Sequence, residues 1–515
     1  MQNFQILWAD DEIDLLKPHI LFLKQKGYEV TPVNSGSDAL DMFQERNFDV
    51  IFLDENMPGM SGLETLAQMK TLKPHIPIVM ITKSEEERIM EEAIGAKISD
   101  YLIKPLNPNQ ILLSVKKILE NKRIISEKTN QSYQQDFRNL AMAFSNNLDF
   151  DEWAEIYKKL VYWELALEQS ADKSMQEVLE MQKSEANSNF VRFVKENYED
   201  WLNNPNIARP LLSHQIFKKK VFPELHTKTF FLLIDNLRYD QWRTLAPLVG
   251  EYFIIEEESL YYSILPTTTA YARNAIFAGM LPADIAKYFP QWWKEEDDEE
   301  GKNLHEEDFL RKQLEKNKIS QKTSYHKIIT NTQGRQLVDN FKNLLHNDLN
   351  VIVYNFVDML SHARTDMQMI RELAPDEAAY RSITKSWFMH SPLLELIEKI
   401  SEAKAQLIIT TDHGTIRVKR PFKIIGDKNV NTNLRYKQGK NLSFSGEQVY
   451  EVRKPEKLFL PKPNISTTYV FAVEDYFFAY PNNYNYYVSY FKDTFQHGGI
   501  SLEEMIIPYI RLRAK

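Results

Sequence analysis

Three apolar runs in this 515-residue sequence each lead to an aspartate, which predicts buried strands with a carboxylate at the carboxyl end. The runs are Phe230–Ile234, Val351–Val357 and Gln406–Ile409, and the aspartates are Asp235, Asp358 and Asp412. Three histidines accompany them, at positions His362, His413 and His497. Six such ligands are too many for one tetrahedral ion and suit two neighbouring metal ions. Each aspartate could instead be an ordinary turn or helix-cap residue.

A second set of polar residues follows short apolar runs within residues 1–120. The runs are Phe4–Trp8, Val50–Leu53, Ile78–Ile81 and Tyr101–Ile103. They alternate with helical patterns, which predicts a parallel sheet wrapped by helices. The carboxylates of Asp10, Asp11 and Asp54 at two strand ends suit Mg²⁺. Thr82 and Lys104, at two further strand ends, could hold a phosphoryl group between them.

This order of motifs resembles the receiver domain of bacterial response regulators. The resemblance implies that Asp54 is the phosphoacceptor and that a sensor histidine kinase is a partner. The Mg²⁺ ligands that it implies are Asp10, Asp11, Asp54 and the backbone carbonyl of Asn56. The switch residues that it implies are Thr82 and Tyr101, with Lys104 as the phosphate-binding lysine.

Residues 109–204 contain neither glycine nor proline, and apolar residues recur at three- and four-residue steps. This pattern predicts helices, arranged as the last receiver helix and a small bundle. The predicted domains are therefore a receiver at 1–120, a helical-bundle connector at 121–208 and a third domain at 209–515. The connector either transmits the receiver state or is a passive spacer. A DNA-binding output is disfavoured, because no helix-turn-helix with a basic second helix is evident.

The aspartate and histidine set resembles that of the alkaline phosphatase superfamily, and HGGISLEE at 497–504 closely resembles its PglZ branch. The resemblance covers roughly residues 210–515 and implies an α/β domain with an inserted cap. It assigns Asp235, Thr269, Asp412 and His413 to one metal, and Asp358, His362 and His497 to the other. Mixed imidazole and carboxylate ligands favour Zn²⁺ at both sites, with Mn²⁺ as the alternative.

A threonine-rich turn at 265–274 precedes a predicted helix, and such a turn is a suitable seat for a phosphate group. In the related nucleotide pyrophosphatase/phosphodiesterases, the nucleophilic threonine stands ten residues before a glycine. Gly279 then selects Thr269 as the catalytic residue, with Thr267 and Thr268 as alternatives. Arg273 and Asn274 either contact the substrate phosphate or lie on the helix surface.

The net charge of −9 argues against a general nucleic-acid or membrane binder, yet residues 417–462 hold 12 Lys and Arg against four Asp and Glu. An aromatic-rich run follows. Arg417, Lys419 and Arg420 are therefore candidate contacts for a nucleotide or oligonucleotide substrate, although the segment could equally be a solvated loop and a β-rich cap. The chain lacks cysteine, a signal segment and a membrane span, which predicts a cytoplasmic protein without membrane insertion.

A receiver, a helical connector and a PglZ-type domain in one chain are similar to the PorX response regulators, which are linked to type 9 secretion. The resemblance favours a two-metal phosphoesterase that responds to phosphorylation, with diesters preferred over monoesters, and a phosphorylation-dependent homodimer. The alternative is an interaction module in which metals only shape a surface for a sigma factor or a secretion component.

Overall fold

The computed structural model describes residues 4–73, 76–83, 98–144, 146–170, 174–294, 303–360, 374–426, 431–446 and 448–515, with only the backbone for residues 120–127. The chain divides into two compact units. The first comprises residues 1–132 and 169–172, and the second comprises residues 133–168 and 173–515. The helices at 150–168 and 174–203 therefore belong to the same unit as the C-terminal domain. The predicted boundaries at 120 and 208 stay predictions.

The first unit contains a five-stranded parallel sheet of order β2-β1-β3-β4-β5. Its strands are β1 (Phe4–Ala9), β2 (Tyr28–Val33), β3 (Val50–Asp54), β4 (Ile78–Thr82) and β5 (Asp100–Ile103). Its described helices are Lys17–Gln25, Gly36–Glu45, Gly62–Leu72 and the first part of Pro108–Phe144, and Ile13–Leu16 is a 3₁₀ turn. Alternate residues of β3 enter two separate apolar cores, one on each face of the sheet. This confirms the doubly wound receiver fold.

The strand order of this sheet reverses between β1 and β3, where the connecting helices lie on opposite faces. Ligands of open parallel sheets bind at the carboxyl ends of the strands that flank such a reversal. Asp10 follows β1 directly, and Asp54 is the last residue of β3. The topology therefore brings the two acidic strand ends together.

The two connector helices, Phe150–Glu168 and Ser174–Asn203, share one continuous apolar core with the C-terminal domain. Trp201 packs edge-on against Tyr262 with ring centroids 5.5 Å apart, and Phe190 lies 6.2 Å from the same ring. Tyr157 of the first helix packs against Tyr239 at 6.1 Å. These aromatic contacts explain why the connector helices cluster with the second unit.

A six-stranded sheet of order β7-β19-β10-β6-β9-β8 forms the centre of the second unit. Its strands are β6 (Thr229–Ile234), β7 (Phe253–Tyr262), β8 (Thr323–Ile328), β9 (Leu349–Tyr354), β10 (Gln406–Thr410) and β19 (Ile506–Ala514). Strands β10, β6, β9 and β8 are parallel to one another, while β19 is antiparallel to both of its neighbours. The three predicted aspartate-bearing strands are thus adjacent, in the order β10, β6, β9.

The strand prediction was wrong for residues 355–357. Strand β9 ends at Tyr354, and residues 356–360 are helical, so Asp358 lies in a helical turn rather than at a strand end. A short apolar run does not distinguish a buried strand from a buried helix, because both place apolar side chains in the core.

The remaining helices of the second unit surround the central sheet. They are Tyr239–Val249, Asn274–Ala278, Pro282–Tyr288, Glu306–Lys316, Asn331–Asp339, Phe341–Leu344, Glu377–His390, Pro392–Glu402, Tyr484–Phe491 and Leu502–Met505. Single 3₁₀ or π-helical turns occur at Ser213–Gln215, Phe217–Val221, Phe222–Glu224, Thr269–Arg273 and Pro455–Leu458. Within the part of the chain that the structure describes, no helix combines the length and apolar character needed to span a bilayer.

Three small sheets lie between β10 and β19 in the sequence, where an inserted cap was predicted. They are β11 (Ile416–Arg417) with β18 (Phe495–Gln496), β12 (Arg420–Ile425) between β14 (Ser443–Phe444) and β17 (Tyr476–Ala479), and β16 (Thr468–Ala472) between β13 (Tyr436–Gly439) and β15 (Val449–Val452). The short sheet β11–β18 joins the segment after His413 to the segment before His497.

Candidate active site

The receiver pocket places Lys104 between two buried carboxylates. Its Nζ lies 2.9 Å from Asp10 Oδ2 and 3.0 Å from Asp54 Oδ1. The carboxylates of Asp10, Asp11 and Asp54 each offer an oxygen within 4.8 Å of the others, which suits a hard cation. Burial raises the pKa of Asp54 to about 6, and repulsion by Asp10 and Asp11 adds to the rise that Lys104 opposes. Asn56, the fourth predicted ligand, is an exposed residue two positions after Asp54.

The two predicted switch residues, Thr82 and Tyr101, converge on a carboxylate that the sequence analysis missed. The Thr82 hydroxyl donates a hydrogen bond to Glu55 Oε2. The side chain of Tyr101 is hydrogen-bonded to Thr82. Burial raises the pKa of Tyr101, and the nearby charge of Glu55 raises this pKa further. Glu55 directly follows the predicted phosphoacceptor, so the sequence shows an acidic residue there. Its contact with Thr82 could not be predicted, because it depends on the pairing of β3 with β4.

The first predicted metal-ligand set meets at the carboxyl ends of β6 and β10. Asp235, Asp412 and His413 are fully buried, and each offers a ligand atom within 4.8 Å of the others. His413 Nε2 lies 3.9 Å from Asp235 Oδ1 and 3.8 Å from Asp412 Oδ2. The next residue, Gly414, lies against the backbone of Glu503. A Cβ at this position would lie 2.1 Å from the Glu503 carbonyl oxygen, so the position requires glycine.

Thr269 completes this set. Its Oγ1 lies 3.1 Å from His413 Nε2 and 3.4 Å from Asp235 Oδ1. It begins a π-helical turn, a distortion that is frequent at functional sites. Of the alternatives, Thr267 is bonded to the Gly498 amide and the Gly499 carbonyl, whereas Thr268 Oγ1 is buried without a hydrogen-bond partner in the described chain. Thr269 is therefore the threonine that contacts the predicted ligands, and its role as nucleophile stays a prediction.

The second predicted set lies beside the first. His497 Nε2 is 3.7 Å from Asp358 Oδ1, and Asn236 Nδ2 donates to the same oxygen at 3.5 Å. The rings of His413 and His497 stack with centroids 4.3 Å apart. The third predicted ligand, His362, lies outside the described residues. The structure thus brings together six of the seven predicted ligands in two adjoining groups.

Arg273 faces the carboxylates of the first set rather than the helix surface. Its side chain is 2% exposed, Nη1 lies 2.8 Å from Asp235 Oδ2, and Nε lies 3.8 Å from Asp412 Oδ2. Glu306, also missed from the sequence, pairs with Arg273 Nε at 2.7 Å and with Lys327 Nζ at 3.0 Å. Arg273 is therefore a counter-charge within the site, while its contact with a substrate phosphate stays a prediction.

Asn274 is buried next to Arg273. Its Nδ2 donates to the Ala270 carbonyl oxygen at 2.9 Å, and its Oδ1 accepts from Asn303 Nδ2 at 3.1 Å. Asn303 also donates to the Thr269 carbonyl oxygen at 3.1 Å. These bonds hold the threonine turn, and a substrate contact by Asn274 stays a prediction.

The charges of the site fit a divalent metal. Burial is the main cause that raises the pKa of Asp235 well above its usual range, and the charges of Asp412 and Asp358 add to it while Arg273 opposes it. Burial also disfavours ionised Asp412, but His413, Arg273 and backbone amides outweigh this and lower its pKa. Asp412 Oδ2 is buried and accepts no hydrogen bond in the described structure. A buried, partly unsatisfied carboxylate pair beside imidazoles is a donor set that bound cations would satisfy.

The three predicted basic contacts lie in a different place. Arg417 pairs with Asp493 at 3.1 Å, and Lys419 pairs with Glu180 at 3.3 Å. Arg420 pairs with both Glu474 and Asp475. All three line a cavity of about 210 Å³ that residues of the connector helices also line. Their carboxylate partners already neutralise them, and their proposed contact with substrate stays a prediction.

Comparison with known families follows the same division of the chain. A family model of the BREX system PglZ alkaline phosphatase-like domain matches residues 216–512. A model of the PorX response regulator linker domain matches residues 123–202, and one of the response regulator receiver domain matches residues 6–116. The chain belongs to the PorX-like response regulators. A receiver domain implies a phosphodonor such as a histidine kinase, so that predicted partner class is supported.

The individual relatives described here each match about a quarter of the chain. Transcriptional regulatory protein ZraR of Escherichia coli O157:H7 is 35% identical over 127 residues, which are 25% of this chain and 29% of that protein. Transcriptional regulatory protein ResD of Bacillus subtilis (strain 168) is 33% identical over 115 residues, 22% of this chain and 48% of that protein. The structure of chemotaxis protein CheY4 from Vibrio cholerae is 29% identical and covers 23% of this chain and 99% of that chain, with a TM-score of 0.22. The chain spans less than half the length of these two curated relatives.

Proposed function

We propose that this PorX-like response regulator is a two-metal phosphodiesterase whose activity or assembly responds to phosphorylation of Asp54. The observation that carries the proposal is the position of Thr269 Oγ1, which lies 3.1 Å from His413 Nε2 and 3.4 Å from Asp235 Oδ1. This hydroxyl lies at hydrogen-bond distance from buried side chains of the kinds that bind metals, at the start of a helical turn. Such surroundings are those that an activated nucleophile needs. Nucleotides or oligonucleotides are the proposed substrate class.

Two Zn²⁺ ions, or Mn²⁺ in their place, are proposed for the site. Asp235, Thr269, Asp412 and His413 would hold one, and Asp358, His362 and His497 would hold the other. Bound ions of this kind stabilise an ionised hydroxyl and offset charge on phosphoryl oxygens. The corresponding proposal for the receiver is Mg²⁺ held by Asp10, Asp11, Asp54 and the Asn56 carbonyl.

The proposed chemistry uses Thr269 Oγ1 as the nucleophile. After the hydroxyl proton is lost, Oγ1 forms a bond to phosphorus while one ester P–O bond breaks, and the leaving oxygen takes up a proton. Water then attacks the phosphothreonyl phosphorus, which returns the Thr269 hydroxyl and releases a phosphomonoester. Ala270, next to Thr269, is small and uncharged, which supports room for the second ester arm of a diester. A monoesterase would instead need strong positive charge for a dianionic group.

The proposed cellular context is control of type 9 secretion, with phosphorylation favouring a homodimer and with a sigma factor or secretion component as a further partner. These proposals rest on the family alone. The second candidate function, a metal-stabilised interaction module, differs from the first by predicting no turnover.

The test is hydrolysis by purified, metal-analysed protein of two aryl esters that share one leaving group. We expect a higher kcat/KM for bis(p-nitrophenyl) phosphate than for p-nitrophenyl phosphate, followed by turnover of dinucleotides and cyclic oligonucleotides. A preference for the aryl monoester would contradict the diesterase assignment. Two bound metals without hydrolysis of any of these esters would favour the interaction module.

A further inference from the structure

We propose that the second connector helix, Ser174–Asn203, positions the active site, and that Tyr198 and Asn187 hold the two loops that carry Thr269 and His497. The inference rests on the roles proposed above for Thr269 and His497. Each of these side chains accepts a hydrogen bond from a backbone amide, Tyr198 from Leu265 and Asn187 from Leu502. The connector is then neither a passive spacer nor only a transmitter, because part of it belongs to the catalytic structure.

Tyr198 contacts the loop that leads to Thr269. Its buried hydroxyl accepts a hydrogen bond from the Leu265 amide at 2.8 Å. Strand β7 ends at Tyr262, so Leu265 lies beyond the strand ladder. The adjacent Ile264 amide donates to Ser213 Oγ at 3.2 Å. Side chains therefore replace strand hydrogen bonds as the chain turns toward the nucleophile.

Asn187 contacts the segment that follows His497. Its Oδ1 accepts from the Leu502 amide at 2.8 Å, and its Nδ2 donates to Glu503 Oε2 at 3.1 Å. Leu502 begins the short helix Leu502–Met505. Glu504 of this helix accepts a hydrogen bond from the Gly499 amide at 2.9 Å. Asn187 thus fixes the element to which the His497 loop is attached.

The two loops are also bonded to each other. Thr267 Oγ1 accepts from the Gly498 amide at 3.0 Å and donates to the Gly499 carbonyl oxygen at 2.9 Å. Gly498 has a φ of 125°, a left-handed backbone conformation that favours glycine. A single helix therefore holds both sides of a joined pair of loops, and a shift of that helix would displace Thr269 and His497 together.

The hydrogen bonds of this helix constrain the two loops in a way that apolar packing does not. Apolar contact of Trp201 and Phe190 with Tyr262 fixes the distance of the helix from β7. Hydrogen bonds to backbone amides additionally fix the orientation of the loops, because they weaken steeply away from linearity. A misplacement of about 1 Å at a catalytic group can reduce the rate about 100-fold.

The test uses full-length Tyr198→Phe and Asn187→Leu, with Tyr133→Phe as the matched control. Tyr133 is a fully buried bundle tyrosine whose hydroxyl donates to Gln182 Oε1 at 3.1 Å, away from both loops. We expect Tyr198→Phe to lower kcat for bis(p-nitrophenyl) phosphate by about 10-fold or more with KM unchanged. We expect Asn187→Leu to raise the dissociation constant of one Zn²⁺ by about 10- to 100-fold. Tyr133→Phe should change neither quantity.

Wild-type kcat in Tyr198→Phe and wild-type Zn²⁺ affinity in Asn187→Leu, with Thr269→Val inactive, would overturn the inference while the proposed function stands. Equal losses in Tyr133→Phe would overturn it as well, because they would indicate general loosening of the bundle. If the wild-type protein shows no turnover that depends on Thr269, the proposed function fails. The Zn²⁺ affinity of Asn187→Leu then decides the inference by itself.

Discussion

The imidazole rings of His413 and His497 lie nearly parallel, with centroids 4.3 Å apart and 22° between the ring planes. Their Nε2 atoms face different carboxylates: that of His413 lies near Asp235 and Asp412, and that of His497 lies 3.7 Å from Asp358. The stacked rings therefore mark the boundary between two ligand groups. Paired catalytic metals in proteins lie about 3.5–4 Å apart, and adjoining groups of this kind suit such a pair.

The first prediction follows from this boundary. Replacing His497 with alanine removes a predicted ligand of one group and leaves Asp235, Asp412 and His413 in place. We expect His497→Ala to retain one Zn²⁺ per chain, as measured by inductively coupled plasma mass spectrometry after dialysis. Exposed His390 provides the control, because His390→Ala should retain the wild-type content. Two tightly held ions in His497→Ala would show that His497 is not a ligand.

The second prediction concerns the nucleophile. Thr269→Val keeps the side-chain volume and removes the oxygen that lies 3.1 Å from His413 Nε2. We expect kcat for bis(p-nitrophenyl) phosphate to fall by more than about 1,000-fold, because covalent catalysis is lost, while the fold persists. Thr268→Val is the comparison, because it makes the same substitution at the neighbouring threonine. Hydrolysis by Thr269→Val at the wild-type rate would mean that another group attacks phosphorus.

The sequence was sufficient to predict most of the fold and most of the residues that meet at the candidate site, because both depend on local patterns. Buried parallel strands appear in the sequence as apolar runs, and the aspartates and histidines that follow them can be recognised by residue type. The run before Asp358 was extended too far, because apolar residues of a helical turn continue those of β9. The helical connector was likewise evident from a stretch of 96 residues without glycine or proline, at positions 109–204.

What could not be predicted depends on contacts between distant segments. Glu306 reaches Arg273 only because the helix Glu306–Lys316 packs beside the threonine turn. The basic residues Arg417, Lys419 and Arg420 looked available for phosphates, yet each is paired with a carboxylate that is distant in the sequence. The partners are Asp493 for Arg417, Glu180 for Lys419, and Glu474 and Asp475 for Arg420. Charge composition does not reveal such pairing, because it carries no information on partners.

The third prediction concerns the receiver. A phosphoryl group on Asp54 offers oxygen acceptors beside Lys104 Nζ, which already lies 3.0 Å from that carboxylate. We expect the Thr82 hydroxyl to leave Glu55 for the phosphoryl oxygen and Tyr101 to turn inward, which remodels the face of β4 and β5. Beryllofluoride with Mg²⁺ should then convert monomer to dimer in light scattering, and Asp54→Ala should abolish the shift. An unchanged mass with the mimic bound would exclude this switch.

The fourth prediction is a pH dependence of stability that originates at His214. Burial lowers its pKa to about 4, with repulsion from Arg209 and Lys219, and its Nδ1 has no hydrogen-bond partner among the described residues. The unfolded imidazole has a pKa of about 6.5, so the unfolded chain binds more protons between about pH 6.5 and pH 4. Stability is therefore fully present above this window and falls as the pH drops through it, by at most about 3 kcal/mol for this half-buried residue.

Thermal unfolding followed by circular dichroism at several pH values measures this effect. In His214→Phe the midpoint should depend less on pH between about 4 and 6.5 than in the wild-type protein. The exposed His346 is the control, and His346→Gln should keep the wild-type dependence. An identical pH profile for His214→Phe and wild type would show that other groups set the dependence.

The fifth prediction concerns the fully buried ion pair of Arg435 and Glu504. Arg435 Nε lies 3.1 Å from Glu504 Oε1 and Nη2 lies 2.7 Å from Oε2, a bidentate arrangement with both side chains at 0% exposure. Removing one member leaves a buried charge without its partner, which costs about 3–5 kcal/mol. Arg435→Met should therefore lower the free energy of unfolding by about that amount, as measured in urea.

Neutralising the remaining charge should recover part of this loss. In Arg435→Met with Glu504→Gln, the glutamine amide oxygen still accepts from the Gly499 amide, which now lies 2.9 Å from Glu504 Oε1, and no unpaired carboxylate is left. We expect the double variant to be more stable than Arg435→Met by about 1 kcal/mol or more. A double variant no more stable than Arg435→Met would show that lost packing, rather than the unpaired charge, causes the destabilisation.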